Sequence, residues 1–424
     1  MSLTDERDVA APAPRPSLRE RAGRMNRWYR LGAVATALVV LLAVVRLVTG
    51  ASALTSSGTV GAALGLAVPI GMAALGGLWS ERAGVVNIGL EGMMILGTFG
   101  AGWIGWQYGP WAGLATAVAF GAVGGLVHAV ATVSFGVDQI ISGVAINILG
   151  LGVTKFLASL LLEGTPGGGQ TQSPRIPSAG VFTTPLIGGP LGDLERHGWF
   201  FVSDLAGILK GLLTQISYLT LIAVLLVVLT YVVLWRTPFG LRLRSVGEDP
   251  YAAESLGVNV YLYKYVAVTV SGALAGFGGA FLAIAAATIY REGQTGGRGY
   301  IGLAAMIFGN WRPGGLIAGA ALFGYTDAMQ LRSADAVHAL LLVVAVGLLL
   351  LAGRSAYRRR FGPAVLSLAA GLLIGWWYSS TETLPSQVTF VTPYVTTLLV
   401  LALASQRLRM PKADGLVYRK GESK

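Results

Sequence analysis

Long apolar runs separated by short polar loops constrain the fold of this chain more than any other feature. A transmembrane helix needs about 20 mainly apolar residues. Runs of this kind lie at 31–49, 58–78, 84–105, 111–133, 139–162, 216–235, 264–287, 313–330 with a short run before it at 301–309, 336–352, 363–379 and 391–405. Of the 424 residues only 12% are charged, which is about half the share in a soluble protein. The sequence therefore predicts an all-α polytopic membrane protein with about 10–12 transmembrane helices, and argues against a soluble enzyme.

The net charge of +11 comes from Lys and Arg residues that cluster in alternate loops. Cytoplasmic loops of membrane proteins collect such residues. If the N-terminus is inside and the segments alternate, most of the 31 Lys and Arg residues fall on the inner side. The charge therefore predicts that both termini are cytoplasmic, and it does not indicate nucleic acid as a partner.

The composition also argues against several kinds of chemistry. The chain contains no Cys and only three His residues, which are far apart in the sequence, so we expect no metal site, thiol nucleophile or disulfide framework. The phosphate-binding pattern G-x-x-x-x-G-K-[ST] does not occur. We therefore expect a chain that is not an enzyme and holds no cofactor of its own.

Changes in polarity divide the chain into regions. Residues 1–30 are rich in Arg and Pro and predict a disordered basic cytoplasmic tail without a cleavable signal peptide. Residues 31–352 form the predicted core, with a long extracytoplasmic loop at 163–215. A basic loop and an extra pair of apolar segments follow at 353–405, and residues 406–424 form a second cytoplasmic tail.

Two apolar segments, 84–105 and 299–315, are interrupted by glycine, proline or polar residues. They occupy matching positions in two parts of the chain, and paired interruptions of this kind point to a transport path. The pattern predicts two half-repeats with broken or re-entrant helices. Pairs of glycines spaced four residues apart predict close helix crossings; they are Gly61/Gly65, Gly272/Gly276 and Gly315/Gly319.

Three polar side chains lie inside predicted spans, where lipid makes them costly. Asn87 and Glu91 are four residues apart, so on a continuous helix they share one face. Asn147 lies well inside the span at 139–162. We predict that the three line a polar substrate pathway. The alternative is that they bond neighbouring helices or freed backbone groups and hold the bundle together, and the two roles are compatible.

The charged inner loop at 236–263 predicts a short helix that projects from the membrane. Pro250 suits the first turn of a helix, and acidic residues suit its positive N-terminal end. Gly257 is placed to end the helix. The candidate docking element consists of Glu248, Asp249, Pro250, Ala252, Ala253, Glu254 and Gly257. The alternative is an ordinary solvated connection.

Five sequence blocks stand in order along the chain. They are SERAGVVNIGLEGMMILGTFGA (80–101), VDQIISGVAINILGLG (137–152), TPFGLRLRSVGEDPYAAESLGVN (237–259), KYVAVTVSGALAGFGGAFLA (264–283) and GRGYIGLAAMIFGNWRPGG (297–315). Together they resemble the permease subunits of ABC-type nucleoside importers, within the family of branched-chain amino acid and simple sugar permeases. The second and fifth blocks resemble the second of two paired permeases.

This resemblance implies a type II-like ABC importer permease fold with two inverted half-repeats. It implies three kinds of partner: a second, homologous permease, cytoplasmic ATPase subunits that bind ATP and Mg²⁺, and an extracytoplasmic substrate-binding lipoprotein. It also implies that the helix at 250–257 couples the chain to the ATPase. The implied function is nucleoside import across the plasma (inner) membrane by alternating access.

Other functions stay open on the residues alone. One is a permease for a simple sugar or another small polar solute. A second is an ion-coupled secondary transporter that acts alone, with Glu91 as its proton or sodium site. A membrane-embedded enzyme is disfavoured because the chain lacks Cys, clustered His and paired carboxylates.

Overall fold

The computed structural model describes residues 27–385, 387–389, 391–392, 394–395 and 408–421. The described helices are α1 (Arg27–Thr49), α2 (Ser57–Arg82), α3 (Leu90–Tyr108), α4 (Pro110–Ala129), α5 (Gln139–Leu161), α6 (Pro185–Arg196), α7 (Val202–Leu213), α8 (Tyr218–Arg236), α9 (Pro238–Glu248), α10 (Pro250–Ser255), α11 (Val260–Phe281), α12 (Arg298–Phe308), α13 (Pro313–Arg332), α14 (Ala334–Tyr357) and α15 (Phe361–Ser380). Single π-helical turns extend α4 to Ser134 and α11 to Ala286.

Seven of the described helices are long and apolar enough to cross a membrane, namely α2, α4, α5, α8, α11, α14 and α15. Helices α1, α3 and α13 have 23, 19 and 20 residues, which also suffices for a span. The prediction of an all-α polytopic membrane protein is confirmed. The predicted span at 391–405 and the predicted tail at 1–30 lie mostly outside the described residues.

Helices α2 and α11 form the centre of the bundle, and α11 packs against α2, α3 and α4. They are the most buried of the seven spans, whereas α15 is the least buried and packs mainly on α14. Lipid is as apolar as a leucine side chain, so helices in a membrane associate through close packing of small residues. The arrangement places the extra C-terminal helix at the periphery of the core.

Glycine contacts decide how closely these helices approach. A Cβ atom added to Gly121 of α4 would lie 2.2 Å from the Gly272 oxygen of α11, and one added to Gly276 would lie 2.3 Å from the Ala117 oxygen. The crossing predicted from Gly272/Gly276 is therefore confirmed. A Cβ atom added to Gly315 would lie 2.3 Å from the Gly309 oxygen, in the junction between α12 and α13. Gly65 differs, because a Cβ added there meets no described atom within 4 Å.

Both predicted interruptions are present. Residues 83–89 are non-helical and separate α2 from α3, and residues 309–312 separate α12 from α13. Gly84 adopts the left-handed φ of 77° just after α2 ends, a conformation that favours glycine. Asn87 therefore lies before α3 begins, and the prediction that Asn87 and Glu91 share a helix face is wrong. Asn87 belongs to the non-helical segment 83–89, whereas Glu91 belongs to the first turn of α3.

The segment between α5 and α8 is folded rather than an extended loop. Helices α6 and α7 pack on each other, and α7 packs on α2. Strand β1 (Val181–Phe182) pairs antiparallel with β2 (Ile216–Ser217). Arg46 of α1 forms an ion pair with the buried Asp204 of α7 at 2.8 Å. This small subdomain is thus attached firmly to one end of the bundle.

Candidate functional site

The non-helical residues 83–89 are held in place by side chains from neighbouring helices. The N–H group of Val86 donates to the Oε1 atom of Gln139 at 2.6 Å, and its carbonyl oxygen lies 3.0 Å from the Nε2 atom of His128. The Lys264 ammonium donates to the Gly84 oxygen at 3.3 Å. Unwound backbone at membrane depth needs such partners because lipid offers none. The break is therefore a built structural feature.

Asn87 stabilises this break from within. It is completely buried, its amide donates to the Ser271 hydroxyl at 2.9 Å, and its Oδ1 atom accepts from the Gly89 N–H at 3.0 Å. The second bond supplies a partner to a backbone donor just before α3. These contacts are of the kind expected when a polar side chain holds the bundle together.

Glu91 connects the two interrupted segments. It lies in the first turn of α3, and its two carboxylate oxygens accept from the backbone N–H groups of Gly297 at 3.0 Å and Gly299 at 2.7 Å. Those groups belong to the N-terminus of α12, where unpaired N–H groups and the helix dipole favour a negative charge. Glu91 therefore acts as an N-terminal cap for a helix more than 200 residues away.

Asn147 of α5 bonds to both sides of the first break. Its Oδ1 atom accepts from the Gly92 N–H at 2.7 Å, and its amide donates to the Ile88 oxygen at 3.0 Å. The same amide donates to the Tyr300 hydroxyl at 2.9 Å. Asn147 thus connects α5, the start of α3 and α12, and all of its amide groups have protein partners.

Tyr300 is a residue that sequence analysis did not single out. The residue is 47% exposed at the start of α12, although its hydroxyl is bonded to Asn147. Next to it, Arg298 forms a 2.6 Å ion pair with Asp327 of α13, which fixes the helix start further. The structure brings Glu91 and Asn147 together around an accessible aromatic ring. An aromatic residue in an apolar segment carries no sequence signal that distinguishes this position.

The predicted docking helix is present as α10, Pro250–Ser255. The Asp249 side chain caps it by accepting from the Ala252 N–H at 3.0 Å, and Gly257 follows it with a left-handed φ of 80°. Ala253 faces the protein and is buried, whereas Ala252 is exposed. The helix and its end at Gly257 therefore lie where the sequence predicts them, and its docking role stays a prediction.

A second helix, α9, precedes α10 and was not predicted. Its end, Glu248, is exposed beside Asp249, and Glu254 on α10 is half-buried. Leu256, immediately after α10, is 84% exposed. The α9–α10 projection therefore presents acidic groups and one large apolar side chain to the outside.

One ionisable side chain near this surface, that of Asp414, has a shifted pKa. The Asp414 side chain, in the segment 408–421 near the C-terminus, is buried beside Glu81 and Arg82 of α2 and Lys264 of α11. Burial raises its pKa to about 7, opposed by its contact with Glu81 and by nearby Lys264 and Arg82. Sequence analysis missed this group because nothing in the local sequence distinguishes it. Among the residues that the structure describes, no cluster of three or more potential metal-binding side chains occurs.

Comparison with known proteins identifies the family of the chain. The sequence model of one protein family, described as the branched-chain amino acid transport system permease component, matches residues 59–353 of this chain. The chain is 35% identical to the guanosine ABC transporter permease protein NupQ of Bacillus subtilis, over 85% of this chain and 96% of that protein. It is 32% identical to the nucleoside ABC transporter permease protein NupC of Lactococcus lactis, over 84% and 94%.

A third relative carries a different name. The chain is 37% identical to the putative glucose ABC transporter permease protein TsgC13 of Haloferax volcanii, over 66% of this chain and 78% of that protein. No solved structure matches the chain. The family match covers both helix breaks and the capped α10, the features that define the site. This chain therefore belongs to the branched-chain amino acid transport system permease component family.

Proposed function

We propose that this chain is the transmembrane permease subunit of an ATP-driven ABC importer and forms the pathway for purine or pyrimidine nucleosides across the plasma membrane. The observation that carries the proposal is the pairing of two broken membrane helices, joined through Glu91, with a capped projecting helix, α10. Two relatives named as nucleoside or guanosine permeases align over most of the chain, which supports nucleosides as the substrate class.

ATP hydrolysis takes place on separate cytoplasmic ATPase subunits that hold ATP and Mg²⁺. The docking surface for an ATPase is the α9–α10 projection, with Glu248 and Asp249 exposed on one side and Leu256 on the other. The remaining members of this element, Pro250, Ala252, Ala253, Glu254 and Gly257, shape or orient the helix. In this proposal the chain transmits movement and performs no chemical step.

The substrate pathway passes Tyr300. A nucleoside is neutral, has hydrogen-bonding edges and has an aromatic face that stacks on an aromatic side chain. Tyr300 offers a half-exposed ring, and Asn147 and Glu91 lie directly behind it. We propose that Glu91 and Asn147 position α12 and contribute to the polar lining, and that Asn87 supports the first break from inside the protein.

A second permease and a binding protein complete the importer. The outer face of α5 exposes a row of large apolar side chains, including Ile141, Ile148 and Phe156. This face suits a homologous permease packed across the pathway, and the folded subdomain of α6 and α7 suits an extracytoplasmic substrate-binding lipoprotein. In this arrangement both termini of the chain are cytoplasmic.

Reconstitution of the complete importer in liposomes tests the proposal. We expect the uptake of radiolabelled guanosine, adenosine or uridine to require ATP, the ATPase and the binding protein. Uptake driven by a cation gradient through this chain alone would contradict it and would favour the ion-coupled alternative. The same liposomes test the sugar alternative, which the likeness to TsgC13 favours: an excess of glucose should leave nucleoside uptake unchanged.

A further inference from the structure

The segment 409–418 near the C-terminus, which we call the strap, lies across the ends of several helices. Ala413, Asp414 and Tyr418 are buried, with 4%, 7% and 5% of their surface exposed. Terminal segments are usually poorly ordered unless specific contacts hold them. The burial of three strap residues therefore indicates a specific docking arrangement.

One set of strap contacts reaches the docking helix α10. The Ala413 N–H donates to the Gly247 oxygen at 2.9 Å, at the end of α9. The Tyr418 ring lies 5.3 Å from that of Tyr251 on α10 and 5.4 Å from that of Tyr261 on α11, measured between ring centres. The Tyr418 hydroxyl faces Glu254. The strap thus contacts α10 from its first turn to its last.

A second set of contacts reaches the first helix break. A Cβ atom added to Gly84 would lie 3.1 Å from the Ala413 oxygen and 3.3 Å from the Gly247 Cα atom. A Cβ added to Gly247 would lie 2.2 Å from the Arg82 oxygen. Three backbone segments therefore touch at one point: the break, the end of α9 and the strap. Only small residues allow this approach.

A third set of contacts reaches the break between α12 and α13. The Arg409 N–H donates to the Asn310 side-chain oxygen at 2.7 Å. Asn310 and Trp311 both hold left-handed backbone conformations, with φ of 55° and 51°. The Trp311 ring nitrogen donates to Glu81 at 2.6 Å. Glu81 also faces Asp414, so strap and break share one buried polar cluster.

The docking helix needs this support because α10 is short. It contains six residues, of which Pro250 and Ala253 are buried. A helix of this length is not stable by itself and depends on tertiary packing. A movement of α10 is transmitted to the transmembrane helices only if rigid contacts connect α10 to those helices. The strap supplies such contacts on the side of α10 that carries Tyr251 and Glu254.

We propose that the strap, residues 409–418, fastens α10 to both helix breaks, so that an ATPase acting on α10 moves the breaks as one body. Its residues are positioning residues that act through α10 and contact no substrate. This inference rests on the proposed function, because it assigns the strap to the coupling of ATP hydrolysis to transport.

The test compares the complete importer with and without the strap. The variant chain ends at Leu408, and the readout is nucleoside molecules taken up per ATP hydrolysed. We expect ATP hydrolysis to continue while this ratio falls by about fivefold or more, the size typical of lost energetic coupling. An unchanged ratio would overturn the proposal.

A milder set of variants covers the case in which the shortened chain does not assemble. Tyr418→Ala removes the ring between Tyr251 and Tyr261, Tyr418→Phe keeps it, and Lys420→Ala changes an exposed residue beyond the strap. We expect the uptake ratio to fall in Tyr418→Ala, to recover largely in Tyr418→Phe and to stay normal in Lys420→Ala. Normal coupling in Tyr418→Ala would reduce the strap to a folding aid and overturn the inference.

Hydrogen exchange on the purified chain separates this inference from the proposed function. We expect the amides of residues 250–256 to exchange faster in Tyr418→Ala than in Lys420→Ala, with no ATPase or substrate present. If nucleoside uptake by the wild-type importer fails but this difference appears, the proposed substrate is wrong and the fastening role stands. Equal exchange in the two variants rejects the fastening role whatever the substrate is.

Discussion

The carboxylate of Glu91 lies 2.7 Å from the backbone nitrogen of Gly299, which follows it by 208 residues in the chain. The bond joins the start of α3, just after one helix break, to the start of α12, which leads into the other. A charged acceptor at a helix N-terminus makes a stronger hydrogen bond than a neutral one. The relation between the two interrupted segments is therefore direct and does not depend on intervening loops.

Replacing Glu91 should loosen α12. In Glu91→Ala the N–H groups of Gly297 and Gly299 lose their acceptors, which we expect to destabilise the protein by about 1–3 kcal/mol. Glu91→Gln keeps one side-chain oxygen and should cost less. Thermal unfolding in detergent measures both, and Glu382→Gln, an exposed acid in a loop, is the matched control. Equal stability of Glu91→Ala and Glu382→Gln would remove the capping role.

Asn147 should be needed for the first break. Asn147→Ala leaves the Gly92 N–H and the Ile88 oxygen without their partner, and a buried unpaired polar group costs about 1–3 kcal/mol. We expect a lower thermal midpoint and weaker uptake in the reconstituted importer. Asn147→Asp keeps the acceptor for Gly92 but loses the donor, so an intermediate effect is expected. If Asn147→Ala unfolds at the wild-type temperature, these bonds contribute nothing to stability.

Tyr300 should affect affinity more than folding. Removing an aromatic ring that stacks on a base costs about 1–3 kcal/mol, so Tyr300→Ala should raise the KM for nucleoside uptake. The variant also removes one hydrogen-bond acceptor of the Asn147 amide, so a loss of thermal stability smaller than in Asn147→Ala is expected. Tyr300→Phe keeps the ring and should keep most of the affinity. The control is Tyr108→Ala, which changes a 73% exposed tyrosine at the end of α3. A wild-type KM for Tyr300→Ala would exclude stacking at this position.

Two glycines should respond in opposite ways to a larger side chain. Gly121→Val places atoms where the Gly272 oxygen lies 2.2 Å from an added Cβ, and forced packing of this kind typically costs about 1–3 kcal/mol or more. Gly65→Ala meets no described atom and removes a flexible residue from a helix, so stability should stay equal or rise slightly. Thermal unfolding of the two variants, side by side, provides the comparison. A stable Gly121→Val would contradict the observed crossing.

The strap should dock more tightly in mild acid. Burial raises the pKa of Asp414 to about 7, while its contact with Glu81 and the nearby Lys264 and Arg82 oppose the rise. The free segment keeps the ordinary carboxyl pKa of about 4, so between these values the released strap ionises and the docked strap does not. Docking should therefore weaken as the pH rises from about 4 to 7.

Amide exchange of residues 411–418, corrected for its intrinsic pH dependence, measures this docking. Asp414→Asn removes one of two facing carboxyl groups, the other being Glu81, so the difference in strap opening between pH 5 and pH 8 should be smaller than in the wild type. A wild-type strap that opens equally at both values would show that Asp414 does not titrate on docking. Lys420→Ala should follow the wild-type profile, because that side chain is exposed.

Local patterns were sufficient to predict the positions of most helices. The length of each apolar run determines where a span begins and ends, because lipid requires about 20 apolar residues with all backbone groups bonded internally. The same holds for α10, whose cap at Asp249 and end at Gly257 are set by residues next to it in the chain. The junction at 309–312 was also predicted, since Pro313 and its neighbours cannot continue a helix.

The sequence by itself thus determined the membrane class, the two interruptions, the projecting helix and the family resemblance, because each depends on residues close together along the chain. Only the tertiary structure decided what the polar residues bond to. Asn87 proved to lie outside α3, Glu91 caps a distant helix, and Asp414 is buried beside Glu81 and Lys264. These contacts join residues far apart in sequence, and no local pattern encodes which buried backbone group a side chain will reach.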